Sequence, residues 1–329
     1  MTRFLAASDI IELATHDVVM AAAQDAAVAD AHGTAVMPPR LDVEVPRGFL
    51  RVMPGAFQDL MGMKVMTMVE GLGNRYLLLL YAQSDGELLA MFDAEEVTRL
   101  RTAGTTALAA TMLQPEPQTE LAMIGSGFEA VGHLRVMCQI WPLSRVAVYS
   151  PSEERRRAFA KRMSAELPVD VVAVSSAREA CQAADTVLLA TKTTEPVLDG
   201  ADLREGAVVL SIGSTRPSLR ELDRPTLART AALLVDHVPS VELESGDIID
   251  ALEHNALAHD QMISMGGWLQ NGHLPSRNGA RDVLTFKSVG TIVQDLALAG
   301  ALLTANALAG ADLGELCRLK PFSATRAPA

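Results

Sequence analysis

Cysteine and basic side chains are scarce in this sequence, and each shortage excludes a class of protein. The three cysteines, Cys138, Cys181 and Cys317, lie far apart and have neither paired nor metal-like spacing. We therefore expect reduced thiols and a cytoplasmic protein. Acidic residues outnumber basic ones by 40 to 28, which gives a formal net charge of −12. A chain with this charge lacks the basic face that binds a nucleic-acid backbone, so we expect no nucleic-acid partner.

Long apolar runs and metal-type histidine pairs are missing as well. No run approaches the roughly 20 apolar residues of a membrane span, and Asp9 and Glu12 interrupt the apolar start of the chain, which argues against a signal peptide. His254 and His259 do not share a helical face, so we expect no metal site there. The composition, with 49% apolar and 21% charged residues, instead predicts a soluble globular protein with a small-molecule partner and no membrane partner.

The first third of the chain combines helices with short β-type runs. Apolar periodicity predicts a helix over residues 9–30, and prolines at positions 38, 39 and 46 interrupt the chain after it. Short apolar runs then predict strands over 41–45, 48–53, 63–69, 76–83 and 88–92. An amphipathic helix is predicted over 94–113, and the prolines at positions 115 and 117 mark a domain boundary.

From residue 119 onward, strands and helices alternate. Apolar runs of strand length occur at 119–124, 145–149, 169–174, 185–190, 207–212 and 232–235. Helical stretches separate these runs, and a long Ala/Leu-rich helix is predicted over 286–308, preceded by a further strand. This alternation predicts an α/β fold, a Rossmann-type doubly wound parallel sheet covered on both faces, next to an α+β domain formed by the first third.

A glycine-rich turn joins the first strand of this series to its helix. Gly125 permits the tight turn, Gly127 lets a diphosphate approach the backbone, and Ala130 permits close packing of helix on strand. Free N–H groups at the helix start would then bind the anion. The alternative is a purely structural turn, because glycine turns open many helices, but the position on the first strand of a βαβ series favours a dinucleotide. The candidate cofactor-binding residues are Gly125, Ser126, Gly127, Phe128 and Glu129.

The end of the second strand bears on the choice between NAD and NADP. NAD enzymes usually place an acidic residue there to hold the ribose 2′-hydroxyl, and this sequence has Ser150 instead. The hydroxyls of Ser150 and Ser152, with Arg155 in the following helix, suit a 2′-phosphate better. The alternative is a solvated helix start with a charge pair three residues apart. The pattern favours NADP over NAD without excluding NAD.

Eight segments, spread over nearly the whole chain, resemble the ornithine cyclodeaminase/μ-crystallin family. They are residues 37–40 (MPPR), 63–65 (MKV), 100–103 (LRTA), 125–130, 210–222, 235–236, 244–247 (ESGD) and 286–290 (FKSVG). The resemblance implies a homodimer and NAD(P)-linked chemistry on α-amino or α-imino acids. It also implies a substrate-binding and dimerisation domain formed by residues 1–116 with 305–329, and an NAD(P)-binding domain formed by 117–304.

The resemblance further implies three cationic substrate-binding residues. Arg101 would hold an α-carboxylate bidentately, Arg40 would add a second cationic contact, and Lys64 would lie near the α-nitrogen or the carboxylate. Lys64 stands alone in the apolar run MGMKVMTMV, where desolvation would lower its pKa and allow proton transfer near neutrality. The alternatives are a surface charge at Arg40, an outward-pointing strand lysine and a solvated helix arginine.

Further cofactor contacts are expected where the parallel strands end and in the family segments. They are Thr191, Ile212, Gly213, Lys287 and Val289. Thr106, one turn beyond Arg101, is expected to reach the diphosphate from the other domain.

One position departs from the family pattern. The family's cyclodeaminases and alanine dehydrogenases carry an aspartate in a segment like G-x-D-x-P-x-x-x-E, and this sequence has Thr215 there. A hydroxyl cannot act as a carboxylate base, although Thr215 could still hydrogen-bond the substrate or the nicotinamide carboxamide. Asp223 or Glu221 could supply the missing carboxylate only if the loop were rearranged.

The resulting hypothesis is an NAD(P)H-dependent reductase of a cyclic or acyclic α-imino acid, with Lys64 and Thr215 as catalytic candidates. The reaction would be reversible, which would make the protein an L-amino-acid dehydrogenase in the other direction. Two alternatives remain open at this point. One is an ornithine or lysine cyclodeaminase that recycles its NAD, and the other is a non-catalytic, crystallin-like protein that binds NADP.

Overall fold

Two sheets, each with helices packed on it, make up the structure. The computed structural model describes residues 2–272, 282–305 and 310–314. The first sheet comes mainly from the N-terminal third of the chain, and the second comes from residues 120–287. Within these described ranges, no helix is both long enough and apolar enough to cross a membrane.

The first sheet is mixed and has three long antiparallel strands at its centre. Strands β4 (Gly48–Phe57), β5 (Leu60–Val69) and β6 (Gly73–Ala82) pair along their whole length. The remaining strands are β1 (Arg3–Leu5), β2 (Ala35–Val36), β3 (Leu41–Val45), β7 (Leu88–Asp93) and β16 (Ala311–Asp312). The order is β16-β1-β7-β6-β5-β4-β2, and β3 also pairs with β4. Lys64 lies opposite Met53 on β4 and Leu78 on β6, in the middle of this sheet.

Four helices pack on the first sheet or next to it. They are α1 (Ala7–Leu13), α2 (His16–Ala31), α3 (Ala94–Leu113) and α11 (Ile292–Ala305). Their apolar side chains form one buried cluster with those of the long strands, including Leu78, Phe92 and Leu296. Helix α11 contacts β4 and β5 as well as α2 and α3, so this late segment of the chain completes the N-terminal unit.

The second sheet is parallel throughout. Its strands are β8 (Glu120–Ile124), β9 (Arg145–Tyr149), β10 (Asp170–Ala173), β11 (Thr186–Leu189), β12 (Val208–Ser211), β13 (Thr230–Val235), β14 (Met262–Ser264) and β15 (Val283–Lys287). They lie in the order β10-β9-β8-β11-β12-β15-β13-β14. The direction of winding reverses between β8 and β11, where doubly wound sheets bind their ligands.

Helices and apolar clusters cover both faces of the parallel sheet. The helices are α4 (Phe128–Ile140), α5 (Glu153–Glu166), α6 (Ala177–Cys181), α7 (Arg224–Ala228), α8 (Val238–Glu244), α9 (Gly246–Glu253) and α10 (Met265–Asn271). One apolar cluster lies on each face, because the strands are apolar on both sides as parallel strands require. The predicted Rossmann-type α/β fold is therefore confirmed.

Two predicted helices differ from the observed ones. The helix predicted over 9–30 is interrupted, because the Thr15 side chain accepts a hydrogen bond from the Val18 N–H and starts a new helix. The helix predicted over 286–308 begins only at Ile292. Its predicted first residues belong to β15 and to a loop that Asp236 fixes by accepting hydrogen bonds from Ser288 Oγ at 2.6 Å and Gly290 N–H at 2.7 Å.

The predicted division of the chain also differs from the observed packing. Residues 117–304 were expected to form the nucleotide domain, yet α11 packs in the apolar cluster of the first sheet. An Ala/Leu-rich helix pattern shows that a helix is buried, but it does not show which sheet it covers. The segment from 315 onward, part of the expected 305–329 portion, lies outside the described residues.

Candidate active site

A cleft of about 840 Å³ lies between the two sheets. The parallel sheet lines it with residues that directly follow β8, β9, β11, β12 and β15. The N-terminal unit lines it with Arg40, Phe49, Arg51, Met53, Lys64, Met66, Met68, Asn74, Tyr76, Glu95, Thr98, Arg101 and Thr102. The cleft therefore brings the three predicted substrate-binding cations together with most of the predicted cofactor residues.

The glycine turn between β8 and α4 has the shape that a diphosphate site requires. Gly125 has a φ of +120°, and a Cβ there would lie 2.4 Å from the carbonyl oxygen of Ala190, so only glycine fits. A Cβ on Gly127 would meet no atom of the described residues within 4 Å, which leaves its backbone open to the cleft. Gly127 is also the N-cap of α4 and supplies no side-chain cap, so the first helical turn can offer N–H groups to an anion.

Hydroxyl groups and an arginine line the cleft where β9 ends. Ser150 Oγ lies 2.8 Å from Ser126 Oγ in the glycine turn. The Ser152 side chain caps α5 by accepting a hydrogen bond from the Arg155 N–H at 3.3 Å. Ser150, Ser152 and Arg155 all line the cleft. They occupy the place where the adenosine half of a dinucleotide extends from such a turn.

A buried carboxylate fixes the loops that line the cleft where β11 and β12 end. Glu221 accepts hydrogen bonds from the Thr191 N–H and Oγ1 and from the Gly213 N–H, at 2.7–2.8 Å. These bonds fix the loops after β11 and β12, which carry Thr191, Ile212 and Gly213 on the cleft wall. A Cβ on Gly213 would lie 1.7 Å from the Thr191 carbonyl oxygen, so the two loops touch here. These two loops therefore form a fixed part of the cleft wall on the side of the parallel sheet.

Two predicted cofactor residues are placed away from the cleft surface. Lys287 is fully buried, and its Nζ donates to Ser211 Oγ at 2.9 Å and lies 3.0 Å from Asp247 Oδ2. Thr106 is also fully buried, with its hydroxyl 3.1 Å from His133 Nε2 between α3 and α4. Both side chains bond to neighbouring elements inside the fold. The direct cofactor contacts predicted for them are not observed on the cleft wall, because a motif position does not fix the direction of a side chain. Val289, predicted with Lys287, does line the cleft.

Lys64 projects from the first sheet into the base of the cleft. Its side chain is only 3% exposed, which excludes the alternative of a lysine that points to water. Nζ donates to Asp295 Oδ2 at 2.6 Å and lies 3.4 Å from Thr98 Oγ1. Burial lowers the pKa of Lys64 to about 8, although the Asp295 carboxylate opposes the shift and the Arg101 charge adds to it. Lys64 can therefore exchange a proton near neutral pH.

The two predicted arginines are buried beside it and also have fixed partners. Arg101 donates from Nε to Asp295 Oδ1 at 3.1 Å and from Nη1 to Gln294 Oε1 at 2.7 Å. Arg40 donates from Nε to Glu244 Oε1 at 2.8 Å and from Nη2 to the Gly290 carbonyl oxygen at 2.7 Å. Neither arginine is a solvated surface charge, since both are largely buried.

Sequence patterns alone do not identify Asp295, the carboxylate that joins two of these cations. Asp295 is fully buried in α11 and is in contact with both Lys64 and Arg101. A usable signal is nevertheless present, because Asp295 is a lone charge in the apolar run IVQDLALAG. The same kind of signal marks Lys64 in β5. Gln294 is likewise visible only once the chain is folded. Glu244 lies in the family segment 244–247, but its pairing with Arg40 is visible only in the structure.

An apolar region extends from the cation cluster along the first sheet. Its cleft-lining residues are Phe49, Met53, Met66, Met68 and Tyr76. At its far end Arg51 lies over the Phe49 ring, and Asp42 accepts two hydrogen bonds from it at 2.6–2.7 Å. Apart from this paired guanidinium, the region is lined mainly by apolar side chains and suits an apolar portion of a substrate.

Thr215 lines the cleft, and neither of the two nearby carboxylates, Glu221 and Asp223, is free to replace the family aspartate. Glu221 is fully buried and committed to the Thr191 and Gly213 loops. Asp223 caps α7 by accepting from the Thr226 N–H at 3.0 Å, and it also accepts from the Gly200 N–H. The loop rearrangement that would release either carboxylate is absent from the structure.

Comparisons with known proteins agree with this geometry. The model of the Ornithine cyclodeaminase/mu-crystallin family matches residues 1–308. Ketimine reductase mu-crystallin of Mus musculus is 32% identical over 277 residues, which cover 81% of this chain and 84% of the mouse protein. The NAD(P)H-dependent anabolic L-arginine dehydrogenase of Pseudomonas aeruginosa is 29% identical over 82% of this chain and 86% of its own.

A solved structure shows a similar fold. The structure of Thermococcus litoralis Δ1-pyrroline-2-carboxylate reductase in complex with NADH and L-proline has a TM-score of 0.86 to this chain. It is 28% identical, and the match covers 93% of this chain and 97% of the archaeal one. The family model covers nearly the whole length of the sequence. The chain belongs to the ornithine cyclodeaminase/mu-crystallin family.

Proposed function

We propose that this protein is an NAD(P)H-dependent reductase of α-imino acids that also oxidises the corresponding L-amino acids in the reverse direction. The observation that carries the proposal is the shared cleft. Buried cations from the N-terminal unit and a glycine turn from the parallel sheet line the same 840 Å³ space. Cations bind a carboxylate, and the turn binds a dinucleotide, so the two ligands would meet inside it.

The proposed roles of the cations follow from their chemistry. Arg101, with Arg40 beside it, holds the carboxylate and so fixes the adjacent carbon of the C=N bond. Lys64 is buried beside Asp295 and, with its pKa of about 8, can give a proton to the product nitrogen. Thr215 can donate or accept one hydrogen bond on the cleft wall. A bound reduced nicotinamide supplies the hydride that this carbon accepts.

The named relatives support this chemistry. The mouse relative is a ketimine reductase, and the archaeal structure is that of a pyrroline-carboxylate reductase in complex with NADH and L-proline. Thr215 argues against ornithine or lysine cyclisation in this chain, because the loop offers no free carboxylate for the distal amine. Among the cofactors, we propose a preference for NADPH, since Ser150, Ser152 and Arg155 suit a 2′-phosphate.

The test is a reductase assay on purified protein with a panel of imines. We expect NADPH oxidation with pyrroline- or piperideine-2-carboxylate, or with an α-keto acid plus methylamine. Lys64→Met, which keeps the side chain long and apolar, should lose this activity and still bind NADPH. Release of proline from ornithine without added cofactor, or inactivity of the wild type on every imine, would contradict the proposal.

We also propose a homodimer that assembles through the edge of the first sheet. On β3, Leu41, Val43 and Val45 project from the same side and are 48–62% exposed, an apolar row that a monomer would leave in water. Val43→Glu should yield a monomer in analytical ultracentrifugation. Leu72→Glu changes a 75% exposed leucine in the β5–β6 turn and should leave the assembly intact.

Two smaller proposals complete the functional picture. The substrate-binding unit comprises the N-terminal residues up to 116 together with α11, because α11 supplies the Asp295 that binds Lys64. A reducing, cytoplasmic location suits the thiols of Cys138 and Cys181, which are unpaired among the described residues. Cys317 lies outside the described residues.

A further inference from the structure

Reduction of a neutral imine to an ammonium product consumes two protons, and Lys64 supplies one of them. Lys64 can provide a proton to the product nitrogen, but its ammonium is also bound to Asp295. The carboxylates Glu221 and Asp223 are committed to backbone N–H groups. The inference developed here rests on the proposed function and concerns the origin of the other proton.

Glu129 carries a carboxyl group on the cleft wall, and this group has no role in the proposed function above. It lies in the first turn of α4, two residues after Gly127, and it lines the cleft with its side chain 34% exposed. Its Oε2 is enclosed and has no hydrogen-bond partner among the described residues. Nδ1 of His133 lies 4.0 Å from this oxygen and is already bonded to the Glu129 backbone oxygen at 2.7 Å.

An enclosed carboxylate oxygen without a donor favours the protonated form of the group. Burial raises the pKa of Glu129 to about 7, and the positive charges of Arg101 and Arg99 limit the rise. The neighbouring His133 does not add charge, because burial lowers its own pKa to about 4. The groups that face Glu129 are Lys64 on β5, Tyr76 on β6, Glu96, Arg99 and Arg101 on α3, and His133 on α4.

Anionic ligands strengthen this preference. A diphosphate on the glycine turn would place negative charge within the same helical turn as Glu129, and a substrate carboxylate would neutralise the Arg101 charge that favours ionisation. Both effects disfavour a carboxylate at this position. Glu129 would therefore take up a proton as the cleft fills and hold it next to the C=N bond.

We propose that Glu129 is a further catalytic residue, the acid that protonates the imine nitrogen. The O–H bond of Glu129 breaks as an N–H bond forms, and the nitrogen becomes positively charged. The carbon of the resulting C=N⁺ then accepts the hydride, and the electron pair of its π bond passes to nitrogen to give a neutral amine. That amine takes its second proton from Lys64, and protons from the solvent in the open cleft then restore both the Glu129 carboxyl group and the Lys64 ammonium.

The test combines a binding measurement with a pH profile, using Glu129→Gln. Calorimetry of NADPH binding at pH 8, in two buffers of different ionisation enthalpy, reports protons taken up on binding. The wild type should take up more protons than Glu129→Gln, whereas any uptake by Lys64 is common to both. At pH 6 the amide mimics the neutral acid, so both proteins should bind NADPH with affinities within about threefold of each other.

The kinetic arm separates a proton donor from a structural residue. Glu129→Gln should lower kcat by about 100-fold, within the usual contribution of general acid catalysis. In the wild type, kcat should begin to fall near pH 7 as Glu129 loses its proton. In this variant that fall should be absent, and kcat should fall only at the higher pH at which Lys64 loses its proton. Glu129→Asp keeps a carboxyl group, so its kcat should still fall as that group loses its proton. Its kcat should also be higher than that of Glu129→Gln. Glu154→Gln, the same change in the first turn of α5 and outside the cleft lining, should match the wild type.

The outcomes distinguish this inference from the proposed function. If the wild type reduces imines and Glu129→Gln keeps a kcat within threefold of it, Glu129 is not the acid and the reductase assignment still stands. Equal proton uptake by wild type and variant also overturns the inference. A wild type that reduces no imine refutes the proposed function itself, whatever the binding data show.

Discussion

The ammonium nitrogen of Lys64 lies 2.6 Å from a carboxylate oxygen of Asp295, although 231 residues separate the two in the chain. Lys64 comes from the middle strand of the first sheet, and Asp295 comes from the last long helix. The other oxygen of Asp295 accepts a hydrogen bond from Arg101 Nε at 3.1 Å. One buried carboxylate therefore orients two of the three cations proposed to bind the substrate.

Replacing Asp295 by Asn should destabilise the protein strongly. The change leaves Lys64 and Arg101 buried without their shared countercharge, and removal of one partner of a buried pair costs about 3–5 kcal/mol. The free energy of unfolding in urea measures the loss. Lys64→Met in the Asp295→Asn background removes one of the two unpaired cations, so the double variant should recover part of the stability. Additive losses from the two single changes would show that the pair does not interact.

Gly290 provides a way to move Arg101 without changing a charge. Gly290 has a φ of +77°, and a Cβ there would lie 2.3 Å from Nη1 of Arg101. Gly290→Ala should therefore displace the guanidinium and raise the KM for the imine by about tenfold, equivalent to about 1.4 kcal/mol of binding. Steady-state kinetics at saturating NADPH measures this change.

The matched control for Gly290 is Gly33, which has a φ of +66° and open space where its Cβ would be. Gly33→Ala introduces the same backbone strain, about 1–2 kcal/mol, far from the cleft. It should lower thermal stability and leave the KM unchanged. An equal rise of KM in both variants would mean that strain, and not contact with Arg101, is responsible.

Ser150→Asp should shift the cofactor preference from NADPH towards NADH. A carboxylate at the end of β9 can hold the two ribose hydroxyls of NAD, and it repels a 2′-phosphate. The ratio of kcat/KM for NADPH to that for NADH should fall by at least about tenfold, or about 1.4 kcal/mol. Ser144→Asp, just before the other end of the same strand, should leave the ratio unchanged. A wild type that already prefers NADH would contradict the premise.

His133 should make the stability depend on pH in the acid range. The neutral ring donates from Nδ1 to the Glu129 carbonyl oxygen and accepts at Nε2 from Thr106 Oγ1. Burial lowers the pKa of His133 from 6.5 to about 4, so below pH 6.5 the unfolded chain binds a proton that the folded protein does not. Stability is then lost as the pH falls from about 6.5 to 4, by up to roughly 3 kcal/mol from this group.

Urea unfolding of His133→Gln at several pH values checks this slope. The variant has no imidazole at this position, so its stability should change less between pH 6.5 and 4 than that of the wild type. His32→Gln, a change at the exposed C-cap of α2, should retain the wild-type dependence. Parallel curves for wild type and His133→Gln would contradict the assignment.

The Rossmann-type half of the fold follows closely from the sequence. Apolar runs such as 145–149 coincide with strands because a parallel strand is buried on both faces and has little freedom in composition. Helix 94–113 is also predicted to the residue, since an acidic N-cap and the prolines beyond it limit both ends. The sequence predicted less about α11. Its uniform Ala/Leu pattern shows that the helix is buried, but it does not show which sheet the helix covers.

The sequence likewise predicted some of the site residues correctly and others not. Of the predicted side chains, Lys64, Arg101 and Thr215 line the cleft, whereas Lys287 and Thr106 are enclosed behind its wall. A motif places a residue on an element, but the packing of neighbouring elements decides whether its side chain opens into the cleft or away from it. Glu129 was predicted only as a cofactor contact, and the fold shows in addition that its Oε2 is enclosed without a hydrogen-bond partner among the described residues.

The sequence by itself determined most of the elements, the glycine turn and the presence of a lone lysine in an apolar strand, because these depend on local periodicity and on the chemistry of single residues. Only the tertiary structure decided that Lys64 is buried against Asp295 and that Arg40 is paired with Glu244. Such pairs join residues some 200 or more positions apart. The desolvation and charge that set their pKa values exist only after the two sheets have closed around them.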